Sequence, residues 1–224
     1  MSLTILPELI QGTDEWHDQR RGMLTASVVG RLITPGTIKP ASNAESRALT
    51  MQLLAERITG WTDPIFVSDD MLRGTNDEPR ARDAYSAHVA PVVEVGFMVR
   101  DDCGFTLGYS PDGLVGESGL IEIKSRRPKE HLATILADQA PAENMAQIQC
   151  GMLVSGRSWC DYISWCGGMP MWVTRVYPDA KWQAAILTAA ERFEDACQQL
   201  EARYHAAVVG CVPTERALEE EMTF

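Results

Sequence analysis

The sequence predicts an α/β fold, a mixed sandwich of sheet and helices. Three observations carry this. The first two-fifths of the 224 residues shows helical spacing, the centre holds short β-branched and aromatic runs, and the final third reads helix, strand pair, helix. Helices and strands that do not alternate one for one argue against regular βαβ winding and for a mixed sheet. The length suits one domain with its own core. The expected layout is a mainly helical part (1–90), a sheet core with intervening helices (91–177), and a C-terminal helix with an acidic tail (178–224).

In chain order, Ser42-Asn43-Ala44-Glu45 reads as a capping box, and Leu49, Leu53 and Ile58 follow at helical spacing up to a stop at Gly60. A second helix covers about Met71 to His88, with Gly74 and Pro79 disturbing its regularity; Pro79 fits a bend or a first turn. Four runs, Val92–Val95, Gly96–Val99, Phe105–Tyr109 and Leu120–Lys124, read as strands. Ser110-Pro111-Asp112-Gly113 reads as a turn between the last two. Glu143 to Val154 is helical again and stops at Gly156; Trp159–Trp165 and Met171–Tyr177 are strands; Asp179 to His205 is a long helix.

Hydrophobic residues make up 45% and charged residues 23%, which excludes intrinsic disorder. No run of 18 apolar residues occurs and residues 1–11 lack a basic leader, so a cytoplasmic protein with no membrane span is expected. The six cysteines (103, 150, 160, 166, 197, 211) form no CxxC pair and read as reduced thiols. The net charge of −11 argues against a general nucleic-acid binder. Its distribution is uneven. Residues 20–62 carry +4, and Lys124, Arg126, Arg127 and Lys129 form a second basic cluster.

The chemistry concentrates in Ser110-Pro111-Asp112-Gly113 and Glu122-Ile123-Lys124. On a strand, Glu122 and Lys124 share one face and Ile121 and Ile123 the other. If the two flanking strands pair antiparallel, Asp112 and Glu122 converge. Two carboxylates at that distance repel unless a cation lies between them, and an all-oxygen set suits Mg²⁺ or Mn²⁺. The same spacing also fits a surface hairpin bearing a Glu122–Lys124 ion pair.

These residues resemble the PD-(D/E)XK nuclease superfamily, and within it the phage lambda-type alkaline exonucleases. Four ordered blocks carry the resemblance across residues 14 to 154. They are Asp14-Glu15-Trp16-His17 with Arg20-Arg21-Gly22 and Thr25-Ala26-Ser27; Leu72-Arg73-Gly74 with Glu78; the Asp112 to Lys124 segment; and Met145-Ala146-Gln147-Ile148-Gln149. The resemblance implies a restriction-endonuclease-like core, a central mixed β-sheet flanked by helices. It implies Asp112, Glu122 and the Ile123 carbonyl as Mg²⁺ ligands, with Mn²⁺ as a substitute and Glu78 as an additional acid beside the metal. Lys124 would position or activate water, and Gln147, with Gln149 as a rival, would orient Lys124 or that water. Arg20, Thr25, Ser27 and Ser110 would bind the 5′-phosphate of the DNA. Trp16 reads as a core residue. One departure is Pro79 directly after Glu78.

The implied activity is metal-dependent 5′→3′ digestion of one strand of linear double-stranded DNA to 5′-mononucleotides. A 3′ single strand would be left for a strand-annealing partner, and the enzyme would be a homotrimeric ring. A DNA endonuclease on the same core and a non-catalytic DNA-end-binding scaffold are the alternatives. The cysteine spacing does not match the iron–sulfur relatives, and no GxxxxGK[ST] motif offers an ATP site.

Overall fold

The computed structural model describes residues 2–64, 66–102 and 104–216. Cys103 and the acidic residues of 217–224 lie outside them. In order, the elements are β1 (Ser2–Leu6), α1 (Asp14–Arg20), β2 (Leu24–Thr25), α2 (Ala26–Val29), β3 (Ile33–Thr34), β4 (Lys39–Pro40), α3 (Ala44–Thr59) and α4 (Asp69–His88). They continue with β5 (Phe97–Asp102), β6 (Phe105–Tyr109), β7 (Gly113–Val115), β8 (Gly119–Ser125), α5 (Pro128–Ala137), α6 (Ala142–Ser155), β9 (Trp159–Trp165), β10 (Trp172–Val176) and α7 (Ala180–Ala207).

The mixed α/β organisation is as expected, but the central sheet is divided. One four-stranded sheet runs β1-β5-β6-β2 and a second runs β10-β9-β8-β7; each contains one parallel pair, β2 with β6 and β8 with β9. A parallel pair needs a crossover, and α5 and α6 supply it between β8 and β9. The main core joins α2, α3, α6 and α7 to both sheets through Leu24, Leu49, Leu107, Leu120, Ile148 and Ile186. A smaller cluster packs Ala81 and Tyr85 of α4 on Ile121, Ile123 and Ile163.

Local chemistry explains most boundaries and several departures. The capping box of α3 lies one residue later than expected. Asn43 accepts from the Ser46 N–H at 2.8 Å and Ser46 Oγ accepts from the Asn43 N–H at 3.1 Å. Glu45 is thereby free to pair with Arg31 at 3.3 Å. Helix α3 stops at Gly60, whose φ of 62° suits a residue without Cβ. Helix α4 starts at the Ser68 cap and continues through Pro79, which lies well beyond its first turn. The Val92–Val95 run makes only an isolated bridge, Val93 with Leu114. Beyond it the chain turns at Gly96, where an added Cβ would stand 1.6 Å from the Leu9 carbonyl oxygen. Only glycine lets these two backbones meet. Strand β1 and the short β2, β3, β4 and β7 were not expected, nor was α5. In α7, Trp182, Ala185, Ile186, Ala189, Ala190, Phe193 and Cys197 form one buried stripe at helical period.

Cys150, Cys160, Cys166 and Cys197 are buried and free, and Cys211 is exposed and free, in line with reduced thiols. No helix among the described residues is long and apolar enough to cross a membrane.

Helix α6 must lie close to β6. A Cβ on Gly151 would stand 2.7 Å from Cζ of the buried Tyr109 ring. An alanine in mid-helix ordinarily stabilises by about 0.5–1 kcal/mol over glycine, but overpacking a rigid ring costs about 1–3 kcal/mol. Gly151→Ala should therefore lower the melting temperature in differential scanning fluorimetry; an unchanged or higher value would contradict this packing.

Candidate active site

Asp112 reaches Glu122 by a route other than the expected one. Strands β6 and β8 lie in different sheets, so the hairpin between them does not form. Instead Ser110-Pro111-Asp112 carries the chain from the first sheet to the second, and the short β7 pairs antiparallel with β8, Gly113 facing Ile121. Asp112 thus stands at the head of β7, where its Oδ2 accepts from the Ile123 N–H at 2.6 Å.

Strand β8 divides its faces as expected. Ile121 and Ile123 face α4, and Glu122 and Lys124 lie in register with Tyr162 and Ser164 of β9. The strand is buried on both sides, and Glu122 is fully buried, which rules out the surface-hairpin reading. Lys124 Nζ lies 2.7 Å from Glu122 Oε1 and donates to Gln147 Oε1 at 3.0 Å. Gln147 is therefore the glutamine that meets the lysine. Its rival Gln149 is buried elsewhere, donating to the Tyr177 carbonyl and accepting from the Asp179 N–H, so it ties α6 to the connection between β10 and α7.

Glu78 also joins the cluster, Pro79 notwithstanding. It lies on α4 in an ion pair with Arg82, close enough to interact electrostatically with Asp112, Glu122 and Lys124. Burial, then the charges of Glu122 and Glu78, push the Asp112 carboxyl well above the usual carboxylate range. Burial also raises Glu78, and Arg82 partly offsets this. For Lys124, burial favours the neutral amine, but Glu122 and Asp112 outweigh it and hold the amine above its ordinary range. The lysine is a cation in this arrangement.

The donor set fits a hard divalent ion. Both Glu122 carboxylate oxygens are buried; Oε1 meets the Lys124 ammonium at 2.7 Å, and Oε2 has no hydrogen-bond partner among the described residues. Such a group is costly unless a cation meets it. Among the described residues no three His, Cys, Asp or Glu side chains converge as a ready metal cage. A third protein oxygen would come from the Ile123 carbonyl, or from Glu78 on leaving Arg82.

Two residues before Asp112, the same crossover supplies a second group. Ser110 Oγ accepts from Arg20 Nη1 at 2.8 Å and from Trp16 Nε1 at 3.0 Å. Arg20 Nη2 donates to Ser27 Oγ at 3.1 Å and, more weakly, to Thr25 Oγ1 at 3.5 Å. All four expected residues are therefore together. The Arg20 guanidinium lies 4.1 Å from the centre of the Trp16 ring, and burial lowers its pKa to about 10. Among the described residues no carboxylate pairs with it. A half-buried guanidinium that meets only hydroxyls and a ring face is free to take up an anion. Trp16 is half-buried and flanks this site, not the core.

The remaining basic residues do not form one free track. Arg21 pairs with Asp18, Arg31 with Glu45, Arg57 with Glu194, Arg126 with Glu143 and Arg127 with Asp70. Sequence reasoning missed the parts played by Trp16 and Arg82. The second had a visible signal, the i, i+4 spacing of Glu78 and Arg82.

Comparison with known proteins bears on the fold and the family. Residues 15–158 match the YqaJ-like viral recombinase domain. The structure resembles an alkaline exonuclease (LHK-Exo) from Laribacter hongkongensis, with a TM-score of 0.79 and 31% identity over 89% of this chain and 100% of that one. It resembles the same enzyme in complex with dAMP at a TM-score of 0.78 and 31% identity, with the same coverage. A phage related exonuclease from Haemophilus somnus 129PT shares the fold at a TM-score of 0.59 and 12% identity, over 81% of this chain and 96% of that one. No curated protein matches the chain. With the restriction-endonuclease-like core in place and its ordered motifs gathered at one crossover, the chain belongs to the YqaJ-like viral recombinase domain family.

Proposed function

We propose that this chain is a metal-dependent 5′→3′ exodeoxyribonuclease that digests one strand of linear double-stranded DNA to 5′-mononucleotides. The observation that carries the reading is the joining of two sites by one crossover. A cluster of the buried Glu122 with the half-buried Asp112, Lys124 and Gln147 lies two residues along the chain from an unneutralised arginine among hydroxyls. The alkaline exonuclease likeness, at 31% identity over most of both chains, supports a nuclease.

In this reading Asp112, Glu122 and the Ile123 carbonyl hold Mg²⁺, for which Mn²⁺ substitutes, with Glu78 as the additional acid. The ion, when bound, would polarise the phosphodiester and make bound water a better nucleophile. Lys124, as a cation, offsets charge on the phosphate and holds the water, and Gln147 fixes the amine from α6. Arg20, Thr25, Ser27 and Ser110 hold the terminal 5′-phosphate. Ser110 Oγ already accepts two hydrogen bonds, so its own proton is left to donate to that anion. The enzyme would act in the cytoplasm as a single nuclease domain, as a homotrimeric ring on the duplex, and pass its 3′ strand to a single-strand annealing protein. Light scattering should then give about three times 24.8 kDa; a processive monomer would remove the ring.

End-labelled linear duplex should be degraded only with Mg²⁺ or Mn²⁺, while an uncut circular plasmid survives. Cutting of the circle would favour an endonuclease. Asp112→Asn should abolish hydrolysis but spare duplex binding. It keeps the acceptor for the Ile123 N–H and removes a charge that burial, Glu122 and Glu78 all disfavour. The metal-free variant should therefore melt higher, by ~2–4 °C for each kcal/mol gained. Wild-type turnover, or a lower melting temperature, would sink the assignment.

The anion pocket makes a separate prediction. Duplexes with a 5′-phosphate should be digested several-fold faster than those with a 5′-hydroxyl, because a charge-assisted bond to phosphate is stronger than a neutral one. Arg20→Lys should erase most of that preference, since an ammonium cannot reproduce the fork shared among Ser110, Ser27 and Thr25. Equal rates on both ends in the wild type would refute the pocket.

A further inference from the structure

We propose that Arg82 is a positioning residue of the carboxylate cluster, one that holds Glu78 in reserve and competes with the divalent ion for it. This rests on the reading that Asp112 and Glu122 hold a metal, with Glu78 as the additional acid beside it. Arg82 is a hub with three separate arms. Its Nε donates to the Asp112 backbone carbonyl at 2.7 Å, its Nη1 to Glu94 Oε2 at 2.6 Å, and its Nη2 to Glu78 Oε1. The side chain is only 13% exposed.

The three arms differ in weight. Glu94 is 72% exposed, so its pair with Arg82 is screened and weak. Glu78 is more enclosed, and the charges of Glu122 and Lys124 act on it. A guanidinium is planar and rigid, so the bond to the Asp112 carbonyl fixes where Nη2 points. Glu78 is in this way held at a set offset from Asp112. Yet Glu78 Oε1 cannot serve a guanidinium and a divalent ion equally, and two cations contend for one carboxylate.

Asp112 is anchored independently. Its Oδ2 takes the Ile123 N–H, and that bond does not involve Arg82. Removing the guanidinium therefore leaves the first ligand in place and releases the third acid. The direction of the effect follows: metal binding should tighten on loss of Arg82. A residue that merely braced the fold would weaken it.

The test is calorimetric titration of Mn²⁺ into the full, DNA-free chain, for the wild type, Arg82→Gln, Glu78→Gln and the double variant. Arg82→Gln should bind Mn²⁺ ~5-fold more tightly, the size of one partly screened ion pair. In the Glu78→Gln background the same change should have no effect. Tightening that persists there would mean that Arg82 acts through bulk charge alone and would overturn the proposal. Unchanged or weaker binding in Arg82→Gln would also overturn it. If that variant fails to fold, Arg82→Lys serves, because one ammonium cannot hold both the Asp112 carbonyl and Glu78. A smaller tightening is then expected, and none would overturn the proposal. A wild type that binds no Mn²⁺ would remove the metal reading and this inference together. A wild type that binds it, with variants no tighter, would remove the inference alone.

Discussion

The hydrogen bond from the Ile123 N–H to Asp112 Oδ2, at 2.6 Å, is the constraint on which the rest of the site depends. It closes the short passage by which the chain leaves one sheet at Tyr109 and enters the other at Gly113. On one side of this bond Ile121 and Ile123 are locked against Tyr85 and Ala81 of α4. On the other, Glu122 and Lys124 lie in register with Tyr162 and Ser164. The Glu122 carboxylate cannot retreat to water, because the strand that bears it is buried on both faces. Apolar packing thus holds like charges together that would otherwise separate. The core and the site are therefore one arrangement seen from two faces of β8.

The same passage explains why the two chemistries adjoin. Ser110 and Asp112 are separated by a single proline, which limits how the crossover can turn. Ser110 is claimed by Arg20 and Trp16, and Asp112 by Ile123 and, at its carbonyl, Arg82. Helices α1 and α4, far apart in sequence, thereby converge on three residues. A shift of either helix moves an anion contact relative to a carboxylate. This is the tolerance that matters if a phosphodiester is to lie between them.

Much of this was legible in the sequence, for definite reasons. Glu122 and Lys124 alternate with two isoleucines, and period two assigns faces whatever the partner strand. Helices α6 and α7 end or begin at residues with strong local preferences, Gly156 and Asp179. The four hydroxyl and guanidinium residues were marked by a resemblance, and they do meet. What failed was non-local. Val92–Val95 has the composition of a strand, but Gly96 must pass beneath Leu9, and the chain turns there instead. Strand β7 has only three residues, too few to carry a pattern, yet it decides how Asp112 meets Glu122. Trp16 looked like core because tryptophan usually is; its role follows from a partner at position 110, which spacing along the chain cannot reveal.

The charge pattern carries the same lesson in physical terms. Two basic stretches stand out in a chain whose net charge of −11 argues against bulk attraction to a polyanion. Most of those cations meet acids when the chain folds: Arg57 makes two hydrogen bonds to Glu194 from α3 to α7, and Arg127 makes two to Asp70. Their charge is consumed in joining elements. Arg20 is set apart because burial already lowers its pKa and no carboxylate among the described residues relieves it. A guanidinium desolvated without an acid gains most when an anion arrives, since the cost of stripping its water has been met by folding. In an acidic protein, affinity for a phosphate then depends less on how many cations the surface carries than on which one the fold leaves without a counter-charge.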